Sequence, residues 1–403
     1  MSRFLKNALA TVALGASVSF AAQAQEVKTN KENGGYEFTT IKDLEGGEVK
    51  NQWRTGTCWS FSALSYFNAE VKRVSGQEVN LSEMWIVRNA YFMKAEKYIR
   101  MHGKTNFGEG GAFHDIPYVM SSYGIVPESV YEGNIEGQGE RRHHAELESL
   151  LKSMCDTFIE NKSGKLSPAW RDAINGVLDA YFGVRPETFE VDGKEFTPES
   201  YLASLKLPLN EYVSITSYTH HPFYEQFIIA IPDNWAWKSS YNVTMDEMLA
   251  IAEGAIDKGY SFAWGADVSE AGFSYRDGLA IVPGDGIKVE KRGRDNRNFS
   301  DAGAEKSSNA FDRPMEEKEI TQEMRQAAYD NFETTDDHGM HITGLVKDQN
   351  GSKYFIVKNS WGKTNDCDGY FYCSEAYFKY KTMNYVLHKD ALSKDMKKKL
   401  GIK

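Results

Sequence analysis

Apolar residues follow two periods along this chain, and the change of period divides it. From Cys58, residues Ala63, Leu64, Phe67, Val71 and Val74 recur at helical intervals, and Gly76 ends the pattern. The run "LSEMWIVRNAYFMKAEKY" predicts a second helix, with Ser82 as a cap-type residue in front of it. A third helix is expected from about Phe113 to Gly124, behind the stretch "GEGG". Residues 140–205 are charged and mostly helical in period, through "AELESLLKSMCDTFIENK" and "AWRDAINGVLDAYFG", and read as an insertion. From about residue 208 the pattern becomes strand-like, in "EYVSITSY" and "QFIIAI". Thr244 then caps a helix with Met245, Met248, Leu249, Ala252 and Ile256 on its apolar face, and Gly259 closes it. "YSFAW" reads as a strand. The polar stretch 284–337 reads as a mobile or inserted segment with one helix near Thr321 to Asn331.

The last part of the pattern is the clearest. "MHITGLV" and "KYFIVKN" are strand-like runs joined by "KDQNGS", and Asn350-Gly351 marks the turn of a β-hairpin. Counting outward from the turn brings His338 and Asn359 opposite each other within a few residues. They can touch although 21 positions separate them.

Composition narrows the class. The chain has 403 residues, 41% of them hydrophobic, enough for a sizeable core. A net charge of −10 argues against nucleic acid or an anionic membrane as the main partner. Arg3 and Lys6, an apolar run from Ala8 to Phe20, and Ala22 and Ala24 make an export signal, with cleavage expected after Ala24. The run is short for a membrane span, so stable membrane insertion is not expected. The mature chain is expected in a bacterial periplasm or beyond. Of the four cysteines, Cys367 and Cys373 are the nearest pair, but spacing does not decide whether they bond. No metal site or organic cofactor is expected. His143-His144 and His220-His221 read as packed or solvated histidines, because neighbours in a strand or helix point apart.

One constellation carries chemistry. In "QWRTGTCWSF" (52–61), Cys58 sits at a helix N-terminus, where the macrodipole and a neighbouring imidazolium should lower its pKa. His338 is the candidate base and acid. Asn359 would orient its ring. The side-chain amide of Gln52 and the Cys58 backbone N–H would hold an oxyanion. Trp361 could cover the histidine and asparagine. His341 competes for the base, but three residues along a strand it faces the opposite side. Gly110 and Gly111 are either a simple turn or a place where substrate backbone pairs.

"QWRTGTCWSF", "DHGMHITG" and "KNSWG", in that order, resemble the Cys, His and Asn motifs of papain-like cysteine peptidases. Thr55 stands where papain and the cathepsins have a cysteine, so that disulfide is not expected. "FGVRPETFEVDGKEFTPESYL", "YNVTMDEMLAIAEGAIDKGYSFAWGADVSE" and "GEGGAF" look like elements of the bleomycin hydrolase and aminopeptidase C subfamily. The resemblance implies an α+β papain-like fold of two domains with a helical insertion. Behind the signal segment at 1–24, which members of that subfamily mostly lack, it places a helical left domain at 25–139, the insertion at 140–205, a β-rich right domain at 206–390 and a tail at 391–403. It implies hydrolysis of peptide or protein substrates through an acyl-thioester, mainly as an aminopeptidase, and a homo-hexamer. In that subfamily a C-terminal arm blocks the cleft beyond the first substrate residue. Here the chain ends "HKDALSKDMKKKLGIK", which reads as a shortened arm and leaves endopeptidase action open. An acyl transferase or an inactive peptide-binding homologue are the remaining alternatives.

Overall fold

The computed structural model describes residues 27–134, 143–293 and 304–403. The expected export signal lies outside the described residues, as do the start of the expected insertion and residues 294–303 of the polar stretch.

Helices α1 (Cys58–Ser75), α2 (Glu83–Arg100) and α3 (Asp115–Tyr123) form where the helical period runs. Gly76 ends α1 at φ 73°, a left-handed conformation that glycine adopts without a Cβ clash. Ser82 caps α2 by accepting from the Trp85 amide. Helices α4 (Ala145–Ile159) and α5 (Trp170–Phe182) follow. Their apolar faces, with Leu147, Leu151, Ile174 and Leu178, join the same core as Leu64, Phe67 and Trp85. The segment read as an insertion thus shares a core with the helix that carries Cys58. A short hairpin, 189–191 with 194–196, turns at Asp192-Gly193 before α6 (Pro198–Ser204). Its three-residue strands are too short for a period to register in the sequence.

The second half is a mixed sheet. Its main strands are β1 (Glu37–Asp43), β2 (Tyr212–Thr216), β3 (Gln226–Ile228), β4 (Ser239–Asn242), β5 (Phe262–Ala266), β6 (His338–Lys347), β7 (Lys353–Lys358), β8 (Tyr370–Ser374) and β9 (Thr382–His388). The long path runs β3-β4-β2-β9-β5-β6-β7-β8. Helices α7 (Met245–Asp257), α8 (Gln322–Asp330), α9 (Glu375–Lys381) and α10 (Lys394–Lys399) pack around it. Met248, Ala252 and Ile256 of α7 bury against Trp264, Ile342, Phe355 and Tyr385.

Strand β6 is the hinge of the design. Its first half pairs with β5 and its second half with β1, and its register shifts at Ile342/Gly344 against β7 and at Leu345/Val346 against β1. It therefore reads as an almost continuous buried run, as a central strand should. Gly351 makes the β6–β7 turn at φ 90°. Helix α1 lies across β6, which brings Cys58 beside the open end of the hairpin. The last residues pack elsewhere: Met396 and Leu400 enter the sheet-side core, and Lys399 pairs with Glu247 of α7 at 2.5 Å.

Candidate active site

The turn before α1 is held by short-range hydrogen bonds. The Thr55 hydroxyl donates to the Gln52 carbonyl at 2.8 Å, and the Thr57 hydroxyl meets that of Thr55 at 2.5 Å. Trp53 takes a left-handed φ of 56° to make the bend. The residue that replaces a disulfide cysteine thus ties the turn through its hydroxyl. Gln52 is fully buried. Its Oε1 accepts from the Ser360 hydroxyl at 2.6 Å, and its Nε2 donates to the Thr55 carbonyl at 2.7 Å. An amide nitrogen carries two hydrogens, so one is left over.

His338 opens β6. Its Nε2–H donates to Asn359 Oδ1 at 2.7 Å, which sets the tautomer and leaves Nδ1 as the proton-accepting nitrogen. Asn359 Oδ1 also accepts from the Ser360 amide at 2.8 Å. The Trp361 ring lies over the imidazole, centroid to centroid 4.6 Å. Cys58 and His338, both buried, line one cavity of about 390 Å³ that is partly open to solvent. A larger hollow of about 880 Å³ lies behind α1 and reaches Asn359, but neither Cys58 nor His338 lines it. His341 faces away from the cavity, fully buried, with Nδ1 2.9 Å from the Ser65 hydroxyl.

The electrostatics differ from the sequence expectation. Burial pushes the Cys58 thiol up to about 12; the Gly339 and Trp59 amides pull it down, and Asp233 and Asp337 raise it. Burial also lowers His338 to about 4, partly offset by its bond to Asn359. The expected lowering of the thiol pKa by the helix N-terminus is therefore outweighed by desolvation and nearby carboxylates. Burial thus works against both the thiolate and the imidazolium.

The glycine loop packs directly on the nucleophile turn. The Gly56 amide donates to the Glu109 carboxylate, and the Trp59 indole N–H donates to the Glu109 carbonyl at 3.0 Å. Lys94, buried in the helical half, donates to the Gly108 and Gly110 carbonyls. A methyl on Gly111 would stand 2.8 Å from the Trp59 ring, and one on Gly110 would collide with the Asp233 carboxyl group. Glu109, Lys94, Ser360 and Asp233 were not picked out from sequence. For Glu109 the signal was its place inside "GEGG"; for Asp233 it was only the turn-type run Pro-Asp-Asn after a strand. All four cysteines are free thiols, Cys367 and Cys373 included. Among the described residues no group of His, Cys, Asp and Glu is placed to hold a metal ion.

The model of the Peptidase C1-like family matches residues 3–282 and 303–402. The chain belongs to that family. Membership carries the expected enzyme class, a cysteine-type peptidase. An aminopeptidase C from Lactococcus lactis subsp. cremoris is 24% identical over 389 residues, covering 88% of this chain and 83% of that protein. One from Streptococcus thermophilus is 22% identical, covering 92% and 86%. Among solved structures of this fold, PepW from Lactobacillus rhamnosis aligns with a TM-score of 0.67 at 20% identity, over 90% of this chain and 84% of PepW. The α+β papain-like fold is thus the fold of this family member.

Proposed function

We propose that this chain is a thiol aminopeptidase acting through Cys58, His338 and Asn359. The observation that carries the reading is the 2.7 Å His338–Asn359 bond beside a cavity that Cys58 shares with His338. The aminopeptidase C relatives support the same activity.

The geometry gives each group a step. His338 Nδ1 takes the thiol proton as Sγ attacks the carbonyl carbon of the scissile bond. The carbonyl oxygen becomes an oxyanion, held by the Cys58 amide and the spare Nε2 hydrogen of Gln52. His338 then returns the proton to the leaving amine, and an acyl-thioester remains on Cys58. Water, deprotonated by the same Nδ1, releases the acid and restores the thiol. Asn359 keeps the ring turned through both transfers, and Trp361 shields the bond from water. Gly110 and Gly111 would offer backbone to the substrate.

The reading includes export, with a cut after Ala24 into a periplasm or beyond, supported by the N-terminal sequence features, and a homo-hexamer, supported by the family resemblance alone. N-terminal sequencing and light scattering of the exported protein test these two parts. The activity is tested on the chain from Gln25, under reducing conditions, with fluorogenic peptides that carry a free or a blocked N-terminus. Cleavage of the free peptide only, abolished in Cys58→Ala, is expected. Equal cleavage of both peptides would establish endopeptidase action instead. Turnover that survives Cys58→Ala, or no turnover with a thiol inert to alkylation, would overturn the peptidase reading.

A further inference from the structure

The loop between β3 and β4, residues 229–238, leaves the sheet and reaches the helical half. The Asn106 side chain donates to the Pro232 carbonyl at 3.1 Å, and His114 Nε2 donates to Asn234 Oδ1 at 2.9 Å. Trp235 is buried in the helical core, and Lys97 lies 3.7 Å over the Trp237 ring. Asn234 also closes the loop on itself: its Nδ2 donates to the Ile229 and Lys238 carbonyls, and its Oδ1 accepts from the Lys238 amide. The result is a pinned strap from one half of the molecule to the other. Ile231 and Asp233 on this strap line the cavity of Cys58 and His338.

Asp233 is held by its backbone, whose N–H donates to Asp336 Oδ2 at 3.0 Å. Its carboxylate rests on Gly110, yet among the described residues it makes no hydrogen bond and no ion pair. Lys94, whose charge it feels, gives its hydrogen bonds to the Gly108 and Gly110 carbonyls. Burial, together with the negative charge of Asp336, Asp115 and Glu148, holds the Asp233 carboxyl well above the usual carboxylate range. A half-buried acid without a partner favours its neutral form, and a cation arriving beside it favours the carboxylate. The described C-terminal residues supply no such partner, because α10 packs on α7.

We propose that Asp233 binds the α-ammonium of the substrate's first residue and thereby restricts the enzyme to free N-termini. This rests on the peptidase reading above. An internal strap then closes the cleft behind the first residue. The arriving cation also offsets the negative field that burdens the Cys58 thiol, so binding and activation are linked.

The test compares a leucine aminocoumarin amide with its N-acetyl form on the wild type and on Asp233→Asn, which keeps the side-chain shape. The ratio of kcat/KM, free over acetylated, is expected to fall roughly 10- to 100-fold, the worth of one hydrogen bond to a buried charge, with KM for the free amine carrying most of it. An unchanged ratio, or an equal loss on both substrates, would overturn the proposal. So would a wild type that cleaves both forms equally while Cys58→Ala is dead; the peptidase reading would then stand alone. Equal cleavage of an N-acetylated peptide with arginine before the scissile residue would point to a side-chain cation and also overturn it. A second readout needs no turnover: leucinamide, but not N-acetyl-leucinamide, should protect Cys58 from iodoacetamide, and Asp233→Asn should lose that protection. Absent protection in the wild type overturns the anchor even if the protein cleaves nothing.

Discussion

Gln52→Ala separates transition-state binding from scaffolding. The amide is fully buried and joins both halves of the molecule: Oε1 takes the Ser360 hydroxyl at 2.6 Å, and Nε2 gives to the Thr55 carbonyl at 2.7 Å. Its backbone bond to the Ser360 carbonyl, 2.8 Å, survives the substitution. Removing the side chain deletes one oxyanion donor, which costs about 10²–10³ in kcat. It also strands a hydroxyl and a carbonyl in the interior, each at about 1–3 kcal/mol, so stability should fall by about 2–6 kcal/mol. Steady-state kinetics with a free-amine fluorogenic substrate, run well below the lowered melting temperature, reads the first effect; thermal unfolding reads the second. Ser360→Ala is the control. It leaves the donor in place but frees the amide to turn, so its kcat loss should stay within about tenfold while one buried acceptor is stranded. The reasoning fails if Gln52→Ala raises KM and spares kcat, because the amide would then bind the ground state. It also fails if Ser360→Ala costs as much kcat as Gln52→Ala, because the amide would then act only as a brace.

Two further outcomes follow from the same geometry. Burial raises the Asp115 carboxyl to about 7, against the Ala112 amide and Lys94, which pull it down. A folded pKa above the unfolded value gives stability that is complete below about 4 and is lost as pH rises through about 7; Asp115→Asn, whose side-chain oxygen can still accept from Ala112, should therefore gain melting temperature over the wild type more at pH 8 than at pH 5, and an equal gain at both would refute the burial argument. Asn359→Ala removes the partner of His338 Nε2 at 2.7 Å, so kcat should drop about 10- to 100-fold with little change in KM, the size of a positioning effect on a proton-transferring group; an unchanged kcat would show that the ring is held by Trp361 alone.

How much of this was legible depends on the range of the forces. The helix of Cys58, its closing glycine, the cap at Ser82 and the 338–359 hairpin are all written in neighbours a few positions apart. A turn at Asn350-Gly351 and a period of two suffice to bring His338 to Asn359, because strand register propagates outward from the turn. Two elements escaped for a matching reason. The hairpin at 189–196 is too short to show a period, and α4 and α5 look self-contained although their apolar faces complete the core of α1 and α2. The hairpin has only its Asp192-Gly193 turn as a local mark, and the shared core has none.

By itself, then, the sequence determined which residues could do chemistry and which would stand beside each other along one strand pair or one helix turn. Only the tertiary structure decided their charge. Cys58 sits at a helix start that favours a thiolate, yet burial against β6, together with Asp233 and Asp337, drives it the other way. Those carboxylates lie well over a hundred residues from Cys58, one on a strap whose sequence announces only a turn and one beside His338. Desolvation and Coulomb terms sum over everything that surrounds a group in space. Periodicity and capping sum over a few neighbours in the chain. That is why the reacting residues can be read in order from the chain, while the electrostatic surroundings of Cys58 cannot.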